Sequence, residues 1–225
     1  MKEVTFLLPA YNEEKSIGIL LSKINRLYPD SQIVVIDNNC DDKTPQIARE
    51  YGAKVIQEKK QGKGYAIKRG LPEVETKYTI MMDSDNTYDP EEAPKLLEFL
   101  KEDGADVVLG CRLNKNRMDG SITRLNLIGN HILSFISSSF YSRISDVCTG
   151  YWAFNHEVID YLLNSGVKSN GFELEVEIFA KISNGGFRIS EIPIAYKRRI
   201  DKPKLNSLDD GWKILKALCY HKIYG

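Results

Sequence analysis

The chain has 225 residues, of which 42% are hydrophobic and 28% are charged, proportions that are ordinary for a soluble globular protein. Lys plus Arg and Asp plus Glu both number 31, and this balance argues against a protein that binds nucleic acid through bulk positive charge. No stretch reaches the roughly 20 consecutive apolar residues that a membrane-spanning helix needs. The first predicted strand begins at once, so we expect no signal peptide. The four cysteines lie far apart without zinc spacing, which favours reduced thiols in a cytosolic protein.

The first half of the chain alternates short apolar runs with helical patterns. The apolar runs predict buried strands at residues 4–8, 32–36, 54–57, 78–82 and 106–109. Helices are predicted between them, at residues 17–27, 44–51 and 64–75, with a further helix start at Asp89-Pro90-Glu91-Glu92. This alternation predicts an α/β fold with a Rossmann-like, mostly parallel sheet flanked by helices.

The pattern changes after Cys111. Residues 126–142 contain no Asp, Glu, Lys or Arg and place Ile128, Ile132, Phe135 and Ile136 on one helical face. This segment is either a helix packed on the sheet or an amphipathic element near a lipid. Further along, a strand-like run is predicted at residues 150–154, a helix at 173–183 and a strand at 188–195.

Polar side chains follow three of the predicted strands at the point where each strand ends. They are Pro9-Ala10-Tyr11-Asn12-Glu13, Asp37-Asn38-Asn39 and Asp83-Ser84-Asp85. The carboxyl ends of parallel strands form the ligand crevice of an open α/β sheet, so we expect these residues to surround one crevice. Acidic and aromatic side chains in that place favour a nucleotide and a divalent metal as ligands.

Asp83 and Asp85 form the candidate metal site. Two carboxylates two residues apart, where a strand opens into a loop, can converge on one hard cation. Mg²⁺ keeps several waters and binds through one or two carboxylates together with substrate phosphates, which suits a nucleotide diphosphate. We therefore predict Mg²⁺ or Mn²⁺ at this pair, with Asp85 in an open loop.

The other candidate residues carry weaker individual signals. Asp37 either accepts hydrogen bonds from a base or ribose or only makes a turn. Tyr11 either stacks on a base or covers the edge of the sheet. Gln61-Gly62-Lys63-Gly64 is neither a dinucleotide fingerprint nor a P-loop, but it places Lys63 near free backbone amides at a helix start, where a diphosphate is favoured.

Charge is unevenly distributed along the chain. Residues 83–92 hold five acids and no base, whereas residues 197–204 hold five bases and one acid. Such segregation suits a metal site in one place and an anion site in another, although solvated surfaces give the same pattern.

In order and spacing, these motifs resemble those of glycosyltransferase family 2, the GT-A-type nucleotide-sugar transferases. The resemblance is carried by the three groups after the strands, by Gly62-Lys63-Gly64 and by Gly110-Cys111-Arg112. Farther along, the dolichyl-phosphate mannose or glucose synthase branch is matched by Asp146-Val147-Cys148-Thr149-Gly150-Tyr151, Glu191-Ile192-Pro193-Ile194 and Arg198 to Lys204-Leu205. The resemblance implies one GT-A domain over 1–225, with residues 1–110 binding the nucleotide sugar and 111–225 the acceptor.

The resemblance also implies roles for the matching residues. Base and ribose would be held by Pro9, Tyr11, Glu13 and Asp37, with Lys63 near the nucleotide. Asp83 and Asp85 would hold the metal and the diphosphate, with Asp85 the more direct ligand. Arg112, Arg198 and Lys204 would contact the acceptor phosphate or the donor diphosphate.

Two positions depart from the family pattern. The pair of acids usual after the second strand is Asp37-Asn38 here, so recognition of the base is open. Family members often carry glutamine two residues after the D-x-D, where this chain has Thr87, so the third metal contact is open as well.

The implied reaction is metal-dependent transfer of a sugar, with inversion, from a UDP-sugar, or from GDP-mannose, to dolichyl or polyprenyl phosphate. A lipid monophosphate is already anionic, so it needs cations that bind and orient it rather than a strong base. An alcohol acceptor would need a carboxylate base, and the resemblance makes Asp146 the candidate.

Three alternatives stay open at this point. The first is a family 2 enzyme that glycosylates a soluble sugar or a protein hydroxyl. The second is a sugar nucleotidyltransferase, although the glycine-rich phosphate loop of such enzymes is missing after the first strand. The third is a noncatalytic nucleotide-sugar-binding module, which would have no use for the metal acids.

The C-terminal helix is predicted to start at Ser207-Leu208-Asp209-Asp210 and to carry apolar residues at helical spacing. Trp212, Leu215 and Cys219 belong to this face, and Lys213, Lys216, His221 and Lys222 make the remainder basic. Such a helix either lies at a membrane interface or docks on its own domain. With residues 126–142, it leads us to expect peripheral attachment to the cytoplasmic face of a membrane.

Overall fold

The computed structural model describes residues 3–114, 117–201, 204 and 207–224. The strands are β1 (Val4–Ala10), β2 (Gln32–Asp37), β3 (Lys54–Gln57), β4 (Tyr78–Met81), β5 (Val107–Cys111), β6 (Trp152–Asn155) and β7 (Ile189–Pro193). The α-helices are α1 (Ile17–Leu27), α2 (Thr44–Glu50), α3 (Lys63–Gly70), α4 (Ala93–Lys101), α5 (Arg124–Phe140), α6 (His156–Ser165), α7 (Leu174–Asn184) and α8 (Ser207–Tyr224). Short 3-10 helices at Leu71–Glu73 and Pro90–Glu92 follow α3 and precede α4.

Within the described residues, seven strands form one sheet in the order β3-β2-β1-β4-β6-β5-β7. The β1 strand pairs in parallel with β2 and β4, and β5 pairs in parallel with β7. The exception is β6, which lies antiparallel between β4 and β5. The structure therefore confirms the predicted mostly parallel α/β sheet.

Helices cover both faces of the sheet. On one face, α1, α2 and α4 bury apolar side chains such as Leu20, Ala48 and Leu96 in one cluster with the sheet. Helix α2 lies on β2 and β3, and α4 lies on β5 and β6. On the other face, α3 packs on β1 and β2, and α6 packs on β6. Helix α7 packs between α6 and α8 in the same apolar cluster, which includes Trp152 and Phe154 of β6. Sheets buried on both sides need strands that are mostly apolar, as β1 and β2 are.

Helix α6 was not predicted, because it follows β6 without a connecting loop. Asn155 is the last residue of the strand and also the N-cap of the helix, where its side chain accepts a hydrogen bond from the Val158 amide at 3.1 Å. One residue thus serves two elements, and the sequence there carries no separate turn signal.

The predicted helix in residues 126–142 is α5, but three of the four side chains predicted on its apolar face point away from the sheet, and the fourth, Ile136, packs partly buried against the core. Ile128, Ile132 and Phe135 are 59%, 55% and 73% exposed, whereas Leu133, Ser134 and Ser137 are buried. The first alternative from the sequence, a helix that packs its apolar face on the sheet, therefore does not fit α5.

Helix α8 docks on α7 and α5 through Ile214, Leu218 and His221, which are buried. Its opposite side leaves Trp212 60% exposed. His221, which we expected on the basic outer side, lies 3.9 Å from the buried carboxylate of Glu177. The helix therefore packs on its own domain and keeps an exposed aromatic side as well. No described helix is long and apolar enough to cross a membrane.

Candidate active site

Two adjoining cavities open at the carboxyl ends of β1, β2 and β4. Their volumes are about 500 and 360 Å³. Both are lined by Lys63, Asp83, Asp85, Phe172, Arg199 and Lys204. The strand ends thus form the crevice that the sequence predicts, and the two cavities meet at its charged centre.

The smaller cavity gathers most of the residues predicted to hold a base and ribose. Pro9, Tyr11 and Glu13 line it, whereas Asp37 is buried and accepts a hydrogen bond from the Cys40 amide at 2.9 Å. The neighbouring Asn38 lines the cavity instead, with its amide group bridging the loop that leads to α3: Nδ2 donates to the Lys60 carbonyl, and Oδ1 accepts from the Gly62 amide.

Lys63, the first residue of α3, joins two carboxylates at the centre of the crevice. Its Nζ lies 2.5 Å from Asp83 Oδ1 and 2.5 Å from Glu175 Oε1. Burial alone would lower the pKa of Lys63, but the charges of Asp83 and Glu175 outweigh it and raise the pKa above its ordinary value. Burial raises the pKa of Glu175, an effect that the Lys63 charge reduces.

Asp83 also depends on a glycine opposite it. A Cβ atom at Gly150 would lie 2.7 Å from Asp83 Oδ2, so any side chain there would push the carboxylate away. The Gly150 amide is held by the hydroxyl of buried Tyr88, at 2.6 Å. The loop before β6 therefore shapes the metal-site candidate, although it lies far from Asp83 in sequence.

Asp85 is 4% exposed rather than in an open loop, which corrects the expectation from the sequence. Its Oδ1 accepts from the Thr87 amide at 3.0 Å and from the Thr87 hydroxyl at 2.5 Å, and its Oδ2 lies 2.9 Å from Arg199 Nη1. Burial is the largest cause that raises the pKa of Asp85, followed by the charge of Asp83, while Arg199 and Thr87 oppose both. Thr87 thus orients Asp85.

Glu13 forms a second carboxylate centre, at the start of the crevice. It accepts a charge-assisted hydrogen bond from Arg199, and its Oε1 lies 2.7 Å from Lys204 Nζ. Lys204 Nζ also donates hydrogen bonds to the Tyr11 and Asn12 carbonyls and lies over the Tyr11 ring. Burial raises the pKa of Glu13, although Lys204 and Arg199 lower it.

Arg112, just past the end of β5, is clamped by Asp146. Its Nε and Nη2 donate to the two carboxylate oxygens at 2.8 and 2.7 Å, and its backbone amide donates to Oδ2 at 2.9 Å. Asp146 is fully buried, and Arg112 lines the larger cavity with its guanidinium over the Tyr196 ring. This bidentate geometry fixes the plane of the guanidinium.

Arg198 lies outside the crevice. Its side chain is exposed, and its Nε donates to the Asp119 carbonyl at 2.6 Å. The neighbouring Arg199 points inward instead, although the sequence analysis did not name it. The structure therefore brings all the predicted site residues around the crevice except Asp37 and Asp146, which are buried behind its wall, and Arg198, which is outside.

The larger cavity is charged at one end and apolar at the other. From Asp85, Arg112 and Arg199 it continues between α5 and α8, where its walls are mostly apolar. The apolar end is lined by Ile122, Leu125, Ile128, Ile132, Leu133, Trp212, Ile214 and Leu215.

Sequence reasoning missed Glu175 and Arg199. Glu175 stands in a run of α7 that is buried from Leu174 to Ala180, so an acid at its position is the one available signal. Arg199 belongs to the basic run at residues 197–204, but nothing in the sequence separates it from Arg198. Both lie beyond β7, where no strand alternation predicts which side chains point inward.

Comparison with known proteins agrees with this architecture. The family model for glycosyl transferase family 2 matches residues 5–163. The chain belongs to glycosyltransferase family 2. It is therefore a glycosyltransferase with the GT-A fold, as the motifs predicted.

Two curated relatives and one solved structure illustrate the range of this glycosyltransferase's similarities. The chain is 33% identical to the dolichyl-phosphate hexose transferase of Haloferax volcanii, over 97% of the chain and 95% of that protein. It is 30% identical to the dolichol-phosphate mannosyltransferase of Pyrococcus furiosus, over 86% of the chain and 56% of that protein. The fold matches a crystal structure of glucosyl-3-phosphoglycerate synthase from Mycobacterium tuberculosis in complex with Mn²⁺, UDP and glucosyl-3-phosphoglycerate, with a TM-score of 0.79 and 20% identity over 100% of the chain and 81% of that structure's chain.

Proposed function

We propose that this glycosyltransferase moves a sugar from a nucleotide sugar to a dolichyl or polyprenyl phosphate, with inversion at the anomeric carbon, in glycan or glycoprotein assembly. The observation that carries the proposal is the larger cavity, which is charged beside Asp85, Arg112 and Arg199 and apolar between α5 and α8. A phosphate joined to an isoprenoid chain has the same division of character. The names of the Haloferax and Pyrococcus relatives support the same acceptor class.

The residues in the crevice fit a divalent cation. Asp83 and Asp85 offer carboxylate oxygens, the ligand type that Mg²⁺ and Mn²⁺ prefer, and both are buried or half-buried next to cationic side chains. Asp83 and Asp85 would hold the ion together with the donor diphosphate. When bound, it supplies Lewis-acid charge that stabilises the leaving diphosphate.

The donor is assigned to the smaller cavity. Tyr11 and Asn38 offer a ring and an amide to the base, and Glu13 offers a carboxylate beside them. Asp37, which is buried behind the cavity wall, would act by holding the Cys40 loop next to the base. Lys63 lies where its ammonium can reach the diphosphate from its position between Asp83 and Glu175. We favour a UDP-sugar, with GDP-mannose as the other candidate.

The acceptor is assigned to the cations of the larger cavity. Arg112 and Lys204 would bind the acceptor phosphate and turn one oxygen toward the anomeric carbon, on the side opposite the leaving diphosphate. Arg199 lines both cavities and would lie between the acceptor phosphate and the donor diphosphate. A phosphate oxygen is already anionic and needs no base. Asp146, the base candidate for an alcohol acceptor, is fully buried and engaged by Arg112, so we assign it to holding that arginine.

This assignment divides the chain into a nucleotide-sugar half at 1–110 and an acceptor half at 111–225. It also places the exposed apolar side chains of α5 and α8 beside the entrance for the lipid. We propose that this surface contacts the membrane peripherally on the cytoplasmic face. The four cysteines of the chain, Cys40, Cys111, Cys148 and Cys219, are free thiols, which supports a reducing compartment.

The test is an acceptor and donor screen with the purified chain and Mn²⁺ or Mg²⁺. We expect transfer to polyprenyl phosphate and at least about a hundredfold lower kcat/KM with the matching polyprenol, because the alcohol offers the cations no charge. A soluble phosphomonoester such as phosphoglycerate should also be poor, because it leaves the apolar end of the cavity empty. Efficient transfer to the soluble phosphate or to a free hydroxyl, without transfer to the lipid phosphate, would refute the assignment.

A further inference from the structure

The two oxygens of Asp85 are both in use. Oδ1 accepts hydrogen bonds from the amide and the hydroxyl of Thr87, whereas Oδ2 lies 2.9 Å from Arg199 Nη1. Thr87 is part of the same turn as Asp85 and stays with it. The side of Asp85 that can change partner is therefore the side that Arg199 covers.

The half-buried guanidinium of Arg199 leaves one of its hydrogen-bond donors without an acceptor among the described residues. It reaches Glu13 and Asp85 with its two terminal nitrogens, but its Nε is buried and has no hydrogen-bond partner among the described residues. A buried N–H without an acceptor costs free energy, on the order of 1–3 kcal/mol. Because Nε is shielded here, the guanidinium gains an acceptor for it only by leaving this position, which favours a change of partner.

We propose that Arg199 is the internal counter-cation of Asp85, and that the divalent metal with the donor diphosphate replaces it there. The inference rests on the proposed metal role of Asp85. It goes further because it assigns Arg199 two partners in succession: Asp85 before the metal and donor bind, and a phosphate group once Asp85 holds the metal.

The charges of the crevice make such an exchange favourable. The contact network of the described residues joins the carboxylates of Glu13, Asp83, Asp85 and Glu175 to the cations of Lys63, Arg199 and Lys204. A dication placed at Asp85 repels the guanidinium 2.9 Å from that carboxylate. The diphosphate that arrives with the metal supplies the anionic acceptors that Arg199 then needs, including one for Nε.

This exchange predicts an order of binding. Metal and donor must enter first, because only they release Arg199 from Asp85. The acceptor phosphate then meets a crevice in which the guanidinium is available to phosphate oxygens. Metal without nucleotide should bind weakly, since it has to displace Arg199 and offers that side chain no new partner.

The experiment measures Mn²⁺ binding without nucleotide, and then UDP binding at saturating Mn²⁺, by calorimetry or by the spin resonance of free Mn²⁺. Arg199→Ala should bind Mn²⁺ about three- to tenfold more tightly than the unaltered protein, while its UDP affinity falls by a similar factor. Arg199→Lys, which keeps the charge, should lie between the two. Arg198→Ala is the matched control, because its side chain is outside the crevice, and should change neither affinity.

Opposite signs for Mn²⁺ and UDP are the signature of the exchange. Unchanged or weaker Mn²⁺ binding in Arg199→Ala would overturn it, as would equal effects from Arg198→Ala. Asp85→Asn separates this inference from the proposed function. If Asp85→Asn loses Mn²⁺ binding while Arg199→Ala does not gain it, the metal site stands and the exchange falls. If neither the unaltered protein nor any variant binds Mn²⁺, with or without UDP, the proposed metal site and the exchange are both refuted.

Discussion

At the scale of single residues, the crevice is a set of buried or half-buried charges that depend on one another. Lys63 pairs with both Asp83 and Glu175, Arg199 pairs with both Asp85 and Glu13, and Asp146 fixes Arg112. Burying such charges costs solvation energy that their pairing only partly returns, and removing one partner typically destabilises a protein by about 3–5 kcal/mol. Residues that cost stability in this way are typical of a functional site.

Asp85→Asn should lower kcat/KM for sugar transfer by at least about a hundredfold, because an amide is a poorer ligand for a hard cation and leaves the departing diphosphate without its charge partner. The fold should survive, since the asparagine oxygen can still accept the hydrogen bonds of Thr87. The measurement pairs initial rates with a urea unfolding curve. Near-normal rates would remove Asp85 from the metal site.

The residues of the crevice differ in how far the sequence predicts them. Asp83, Asp85 and Lys63 stand next to strand or helix ends, where the fold fixes their position, and all three line the crevice. Arg198 and Arg199 are chemically identical neighbours, and only the course of the chain after β7 decides which one points inward. That course depends on contacts far apart in sequence, such as the bond from Arg198 to the Asp119 carbonyl.

At the scale of elements, the site depends on how closely α3 and α7 approach. The loop at Ser169 and Asn170 packs against Gly62 and Gly64, where any side chain would collide with its backbone. Glu177 of α7 holds this loop by accepting from the Lys168 and Ser169 amides at 2.8 and 2.6 Å. This packing brings Lys63 at the start of α3 to Glu175 in α7.

Glu175→Gln should change how the stability of the protein depends on pH. The pKa of Glu175 is raised from its ordinary value of 4.5, mainly by burial, so the folded state holds its proton more tightly than the unfolded state. The stabilisation from this group is complete below the unfolded value and is lost as pH rises through the folded value. We therefore expect the stability of the unaltered protein, relative to Glu175→Gln, to fall as pH rises above the ordinary glutamate value of 4.5.

The measurement is urea unfolding of both proteins across that pH range. The same series on Glu157→Gln, at an exposed glutamate of α6, shows what the change of side chain contributes by itself. A stability difference that stays constant, or grows with pH, would contradict the prediction.

Strands and helices were predicted unevenly, for a physical reason. The strands β1, β2 and β4 are continuous apolar runs that end in polar residues, and each lies where the pattern placed it, within one or two residues. The antiparallel direction of β6 between β4 and β5 has no such local signal, because it follows from long-range pairing. Helix α6 was missed because Asn155 ends a strand and caps a helix at the same time.

At the scale of the whole molecule, the charged crevice and the apolar surface belong to one continuous feature. The larger cavity begins at the ends of the strands and runs between α5 and α8, whose outer sides expose Phe135 and Trp212. Docking of α8 on its own domain therefore does not exclude contact of the same helix with lipid. Helix α8 buries Ile214 and Leu218 in its own domain and still presents aromatic side chains outward.

The last prediction is that α5 and α8 attach the protein peripherally to anionic lipid. Exposed Ile132, Phe135 and Trp212 would enter the interface, and Lys216 and Lys222 on α8 would attract the headgroups.

Deleting α8 is a poor test, because it would uncover the core around Leu218. Phe135→Glu combined with Trp212→Glu leaves the core intact and should reduce co-sedimentation with anionic liposomes by about tenfold or more, since each change replaces apolar burial with a repelled charge. Leu163→Glu, at an apolar side chain of α6 that is 41% exposed, is the control and should bind like the unaltered protein. Equal binding by all three proteins, or none by any of them, would leave the α5–α8 surface without a membrane role.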